Sequence, residues 1–361
     1  PRGGRTWNEA MNHTGVVDVA IAGAGIIGLS LALELRQRGL SVTVMERGQA
    51  MSAASWAAGG MLAVNDPQNP AELMPLCVRS WELYPSYLDV VESSSGLHVP
   101  LRTRRTLQEA RSGTQATEHA TAAEIAHLAP ALDSTGHNFI WLDEGSIDPN
   151  DLRAALPAAL RVAGGNLLES TEVLKVSSAD GVILAETRRE KISAGMFVNC
   201  CGAWAGGELW GGMPVEPVKG HIANLRCAPD RLRCVVRTPG VYLVPRGDGR
   251  VTVGATLEHV GFDEVVHQDQ VSGLMEAALR LLPEATIPSP IDAWTGLRPG
   301  TPDGLPILGV AQRANCWHAT GHYRDGILLA PVTARVMTQA MLGEAPDVPL
   351  AAFSPSRFKS R

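Results

Sequence analysis

Gly23-Ala24-Gly25-Ile26-Ile27-Gly28 separates an apolar run, Val16 to Ala22, from an amphipathic run, Ile26 to Arg38. In that setting the hexapeptide predicts a strand, a tight turn and a helix. Its glycines let the backbone approach a pyrophosphate, and the helix N-terminus offers free N–H groups and the positive end of its dipole to that anion. A second strand, Ser41 to Met45, ends in Glu46, eighteen residues after Gly28. That is close to the spacing of about 20 at which a carboxylate meets a ribose hydroxyl. A glycine triplet alone is weak evidence, but strand, helix, second strand and acid in register point to a dinucleotide-binding unit.

At 361 residues the chain exceeds the roughly 250–300 residues at which a single core stops growing, so two domains are expected. A net charge of −6 gives no general attraction for nucleic acid or an acidic membrane surface. The uncharged run from Val19 to Leu33 is shorter than the roughly 20 apolar residues of a membrane span. The six cysteines, at 77, 200, 201, 227, 234 and 316, show no CxxC pair and no zinc spacing. They fit reduced thiols of a cytoplasmic protein, with adjacent Cys200 and Cys201 as small buried residues. No metal is expected. Pro1 to Ala10, ahead of Met11, are set aside as a start-site remnant.

Met51 to Leu62 is a run of small residues, too glycine-rich for simple core and suited to close approach by a cofactor. Helices are expected over Ala71 to Ser93 and Thr121 to Leu128. Another should begin at the Asp148-Pro149 N-cap and end near Ala163. Strands are expected over Asn166 to Val176, Val182 to Glu186 and Lys191 to Cys200, the last followed by Cys201-Gly202-Ala203-Trp204. Val215 to Ile291 forms a β-rich block with a hairpin of Val241 to Pro245 and Arg250 to Thr256. Tyr242 and Val244 share one face of it.

Near the C-terminus two arginines, Arg298 and Arg324, stand in Gly- and Pro-rich segments that look like loops. An arginine presents a planar fork suited to a carboxylate. Gly326 opens an apolar helix that runs to Leu342 and stops at Gly343, and its N-terminus would stabilise an anion placed before it. His322 is a candidate base, though a histidine in a tight loop more often has a structural hydrogen bond.

Taken in order, the glycine turn with Glu46, Ser55 to Leu62, Val218-Lys219-Gly220, Tyr242 to Arg246, Val253 to Thr256, Gly296 to Thr301 and Gly321 to Pro331 resemble the FAD-dependent D-amino acid oxidase superfamily, nearest its glycine oxidase branch of thiamine biosynthesis. The resemblance implies an α/β fold. A glutathione-reductase-like, Rossmann-type FAD domain would be formed by residues 14–85, 145–214 and 295–361. An interleaved substrate domain of antiparallel sheet and helices would be formed by 86–144 and 215–294, after an N-terminal extension, 1–13.

By the same resemblance, non-covalent FAD lies along Gly23, Gly25, Ile26, Ile27, Gly28, Glu46, Arg47, Ser55, Ala58, Gly59, Gly60 and Met61, with Val173 at the adenine. Cys201, Gly202 and Trp204 join it, and the segment His322, Tyr323, Arg324, Asp325, Gly326, Ile327 and Leu328 holds the flavin's pyrimidine edge. Arg298, itself at the flavin, pairs with the substrate carboxylate and Tyr242 donates to it; Arg324, Leu257 and Met61 complete the pocket. No acid–base residue is required if the amine is neutral when its Cα hydride leaves for flavin N5. The partners implied are a small amino acid and molecular oxygen, with hydrogen peroxide as product, in a cytoplasmic homotetramer. Leu257 and Gly240 replace a methionine and a histidine usual in the branch, which implies a roomier pocket. The competing reading is a dehydrogenase that uses another electron acceptor.

Overall fold

The computed structural model describes residues 15–110 and 119–358; the expected N-terminal extension lies outside them. β1 (Val17–Ala22) ends at Gly23, whose φ is 101° and where a Cβ would overlap the Cys200 carbonyl. Only glycine satisfies both conditions. α1 (Ile26–Gln37), β2 (Val42–Met45) and a short β3 (Met61–Leu62) follow. Next come α2 (Met74–Ser95), β4 (Thr106–Glu109), α3 (Ala122–Leu128), β5 (Phe139–Leu142) and β6 (Gly145–Ser146). α3 begins on a reciprocal cap between Thr121 and Glu124. α4 (Pro149–Val162) starts where expected, with the Asp148 carboxylate accepting the Asn150 N–H at 3.0 Å.

The chain then forms β7 (Asn166–Leu168), β8 (Val173–Ala179), β9 (Val182–Thr187), β10 (Lys191–Asn199), β11 (Glu216–Arg226), β12 (Val235–Arg237), β13 (Tyr242–Pro245) and β14 (Arg250–Gly254). α5 (Gln268–Leu281), β15 (Ala293–Gly300), β16 (Ile307–Val310), β17 (Cys316–Thr320) and α6 (Gly326–Met341) complete it.

Two sheets organise these elements. The first runs β16-β17-β10-β1-β2-β7, with β9 on β10 and β8 on β9. Its central pairs are parallel, as the crossover helices require. α1, α2, α4 and α6 cover one face with the largest apolar core, and β8 and β9 contribute to a smaller core on the other. The second sheet runs β15-β11-β14-β13-β12-β4-β5 and is antiparallel except where β12 meets β4. Leu107, Val236, Leu243 and Val253 point to its covered side, where they pack on Val271, Leu274 and Met275 of α5. Side chains alternate across a sheet, so Gln108, Arg237 and Tyr242 point to the opposite side, toward the first sheet.

Several expectations need correction. The β-rich block Val215 to Ile291 also carries a helix whose position the sequence reading does not anticipate, α5. Asn166 to Val176 is two strands: the chain turns at Ser170, φ 51°, and passes from pairing with β2 to pairing with β9. The expected boundary at 85/86 falls inside α2, whose Leu88 and Val91 belong to the first core. The boundary at 294/295 falls inside β15, which pairs along its whole length with β11.

Candidate active site

The open face of the second sheet carries a continuous row of cross-strand neighbours, Trp294, Ile222, Gly254, Tyr242, Arg237, Gln108 and Ile140, one from each strand. A long cavity runs between this face and the C-terminal ends of the first sheet's strands. Its lining includes Gly25 to Ile27, Ser55, Ala58 to Met61, Gly202, Tyr242, Arg298 and His322 to Ile327. The sequence-derived candidates from six separate segments therefore meet around one space.

Arg298 lies in β15 rather than in a loop. Its neighbours Gly296, Pro299 and Gly300 suggest a loop, but β15 is an edge strand, where proline is tolerated. Its guanidinium lies across Gly220 of β11, where any Cβ would overlap it. Nη1 donates to the carbonyls of Thr256 at 3.2 Å and Lys219 at 3.3 Å. Among the described residues no carboxylate pairs with it, and burial pulls its pKa down. A half-buried cation satisfied only by carbonyl dipoles is poised for an incoming anion. The Tyr242 hydroxyl lies flat over Gly254, again where a Cβ would overlap it, and against Gly59. Burial raises its pKa against the pull of Arg298, so the phenol keeps its proton. Two glycines in adjacent strands thus make the floor on which the guanidinium and the phenol rest.

Arg324 is differently placed. Nη1 donates to Gln68 Oε1 at 2.6 Å, while Nη2 donates to Asn69 Oδ1 at 3.3 Å and lies 3.3 Å from Asp66 Oδ2. It ties the segment 66–69, part of which roofs the cavity, to the start of α6. His322 meets Thr333 through Nε2 at 3.0 Å, and burial lowers its pKa to about 3. It is neutral and structural, not a working base. Asp325 precedes α6, buried, with its pKa raised to about 6 by that burial.

Other candidates lie outside the cavity lining. Gly23, half-buried in the turn, and Gly28, buried in the first turn of α1, shape its end. Glu46 accepts the N–H groups of Ala24 and Gly48, both at 2.9 Å. The Arg47 guanidinium stands 3.7 Å above the Trp204 ring, which stacks on Phe262. Val173 is buried in the smaller core. The Cys201 N–H is held by Asn199, and burial raises the thiol's pKa far above its usual value. Leu328 sits in the first core, its carbonyl accepting from Ser80. Leu257 is corrected: it is 53% exposed and does not line the cavity, because the chain beyond β14 turns outward to pair Glu258 with Lys219. Gly240 does not line it either. Sequence reasoning missed Arg237, Gln108 and the Asp66 to Gln68 roof. Only alternation from Tyr242 across β12 and β4 would have found the first two.

The cavity fits an extended dinucleotide. Neither α1 nor α6 is capped by the side chain of its own N-cap residue, Gly25 or Asp325, and neither has an acid in its first turn, although Ser55 Oγ accepts the Ile26 N–H at 2.9 Å; both helices contribute residues to the lining. The wall between them is largely glycine and alanine. Among the described residues no helix is long and apolar enough to cross a membrane, and no cluster could hold a metal.

A family of FAD-dependent oxidoreductases, the DAO family, matches residues 18–340. The chain is 34% identical to a glycine oxidase of Pseudomonas aeruginosa over 94% of its own length and 98% of that protein. It is 36% identical to the bifunctional protein ThiO/ThiG of Synechocystis, of which it spans 54%. The crystal structure of glycine oxidase from Geobacillus kaustophilus superposes with a TM-score of 0.87 at 30% identity, covering 95% of this chain and 99% of that one. With a cavity shaped for a dinucleotide and a match along nearly its whole length, the chain belongs to the DAO family of FAD-dependent oxidoreductases.

Proposed function

We propose that the protein oxidises glycine, sarcosine or small D-amino acids, passing the electrons to dioxygen and releasing an oxo acid, ammonia or an amine, and hydrogen peroxide. The observation that carries this reading is the Arg298–Tyr242 pair, a carboxylate clamp without a carboxylate. The names of the similar proteins support it. A place in thiamine formation and a cytoplasmic homo-oligomeric state belong to the same reading, on family resemblance alone.

The first turn of α1 would hold the pyrophosphate, Ser55 to Met61 the middle of the cofactor, and the first turn of α6 the flavin's pyrimidine edge. Bound FAD supplies the two-electron acceptor. Arg298 and Tyr242 fix the substrate carboxylate and so fix which Cα–H bond points at the cofactor. His322 is held at Thr333 with its pKa lowered to about 3, and Asp325 lies at the start of α6 rather than at the Arg298–Tyr242 clamp. The reaction this reading needs is loss of the hydride assisted by the nitrogen lone pair of the neutral amine, giving an imine that water hydrolyses. The uncapped N-terminus of α6 favours negative charge beside it.

The test is peroxide formation by the FAD-loaded protein with glycine, sarcosine, D-alanine and L-alanine, together with anaerobic bleaching of the flavin. Peroxide with glycine or a D-amino acid and none with L-alanine is expected. Bleaching without peroxide would make the protein a dehydrogenase, and neither signal with any of these amines would overturn the reading.

A further inference from the structure

The cavity extends past the carboxylate clamp to a second guanidinium. Arg237 stands beside Tyr242 in the cross-sheet row, on the side away from β15, and is 5% exposed. Tyr242 leans the other way, over Gly254 and Gly59. Gln108 is the next neighbour in the row, and both it and Arg237 line the cavity with Thr238 and Pro239.

The guanidinium of Arg237 has a charge partner but lacks hydrogen-bond partners. Glu144 Oε2 lies 2.7 Å from Nη2, off the line of its N–H bonds, so that Nε, Nη1 and Nη2 all lack an aligned acceptor. The other Glu144 oxygen accepts the Asn65 N–H at 2.5 Å. Gln108 offers no relief through its amide nitrogen, which donates to the Glu109 carbonyl at 3.0 Å. Buried donors are almost always met by an oxygen, and a set left open beside a cavity marks where one is supplied from outside the chain. The sign of that oxygen's group follows from the surroundings. Glu144 already matches the charge of Arg237, and Asp66 and Asp325 act on the same neighbourhood. A further anion would be repelled, whereas a neutral acceptor would not.

Resting on the amino-acid reading above, we propose that Arg237 and Gln108 form a side-chain subsite selecting substrates whose side chain ends in a neutral oxygen acceptor, a carboxamide foremost, over apolar chains of the same length. The carboxylate is held at Arg298 and Tyr242, and the amide carbonyl accepts from Arg237.

Three non-reacting acids test this on the FAD-loaded protein, with binding read by calorimetry and by perturbation of the flavin spectrum. They are glutaramate, glutarate and the same-shaped acid with an isopropyl group in place of the amide. Glutaramate is expected to bind about tenfold tighter than the hydrocarbon acid, the effect of one hydrogen bond from a charged donor. Arg237→Met should erase that ratio. Arg237→Lys, which keeps a cation opposite Glu144, should reduce it if the methionine variant fails to fold. Equal or tighter binding of the hydrocarbon acid, glutarate as the tightest ligand, or a ratio unchanged in the variants would overturn the proposal; no binding of any acid would overturn it together with the clamp. Glycine turnover is measured separately, so the reaction and the subsite fail independently.

Discussion

Arg298 and Arg324 look alike in the sequence, each set among glycines and prolines with little other charge nearby, yet the fold treats them in opposite ways. Arg298 rests on a glycine floor, donates only to carbonyls and keeps its charge uncompensated in a half-buried place. Arg324 spends its charge on Asp66 and the N–H groups of Nη1 and Nη2 on Gln68 and Asn69, with Nε left without a partner among the described residues. The difference separates a ligand-binding cation from a structural one. The first is left without a counter-charge at an energetic cost that a substrate anion relieves, and the second has its charge met by the chain itself.

The sharpest way to break this contrast is Arg298→Ala. Loss of the clamp is expected to cost about 3–4 kcal/mol, a roughly 100- to 1000-fold fall in kcat/KM for carboxylate-bearing amines. Steady-state kinetics beside a flavin absorbance spectrum checks it, with FAD content unchanged; wild-type kinetics would end the assignment. Tyr242→Phe removes one hydrogen bond to a charged group and should cost about 2 kcal/mol, mostly in KM.

Asp325, next to Arg324, gives a pH-dependent version of the test. Its pKa of about 6 in the folded protein stands above the ordinary 3.8, so the fold favours its protonated form. That stabilisation is complete below pH 3.8 and is lost as pH rises through 6. Asp325→Asn should therefore be more stable than wild type at pH 8, by about 1–2 kcal/mol, and lose that advantage toward pH 4 in denaturant melts. The smallest effect belongs to Arg324→Gln. Its partly exposed ion pair is worth about 0–1 kcal/mol, so kcat/KM should change less than about tenfold, while proteolysis near residues 66–69 accelerates.

Much of the first sheet was legible because each of its steps has a local cause. The apolar run of β1, the glycines at 23, 25 and 28 and the Asp148-Pro149 cap act within a few residues of themselves. The second sheet was legible only in its hairpin, where Gly247-Asp248-Gly249 closes β13 onto β14. Arg298 was found by chemistry but misplaced by conformation, since an edge strand with Pro299 imitates a loop. α5 was missed because its apolar stripe, Val271, Leu274, Met275 and Ala278, is interrupted by glycine and sits among strand-like neighbours. Arg237 and Gln108 are site residues through pairings between distant strands, for which the sequence has no local signature. The roof formed by Asp66 to Gln68 likewise depends on Arg324, more than 250 positions away.

The chain passes between the two sheets four times: after α2, after β5, after β10 and after β15. Neither core can therefore be completed before the chain has nearly all been made, and neither can be lost without pulling strands from the other. Such interlacing makes folding dependent on distant pairings and slow, and it favours unfolding as one unit rather than sheet by sheet. A cofactor held between the two sheets would recognise only the finished interlace, so FAD bound there would stabilise the folded chain selectively as well as serve as a reagent.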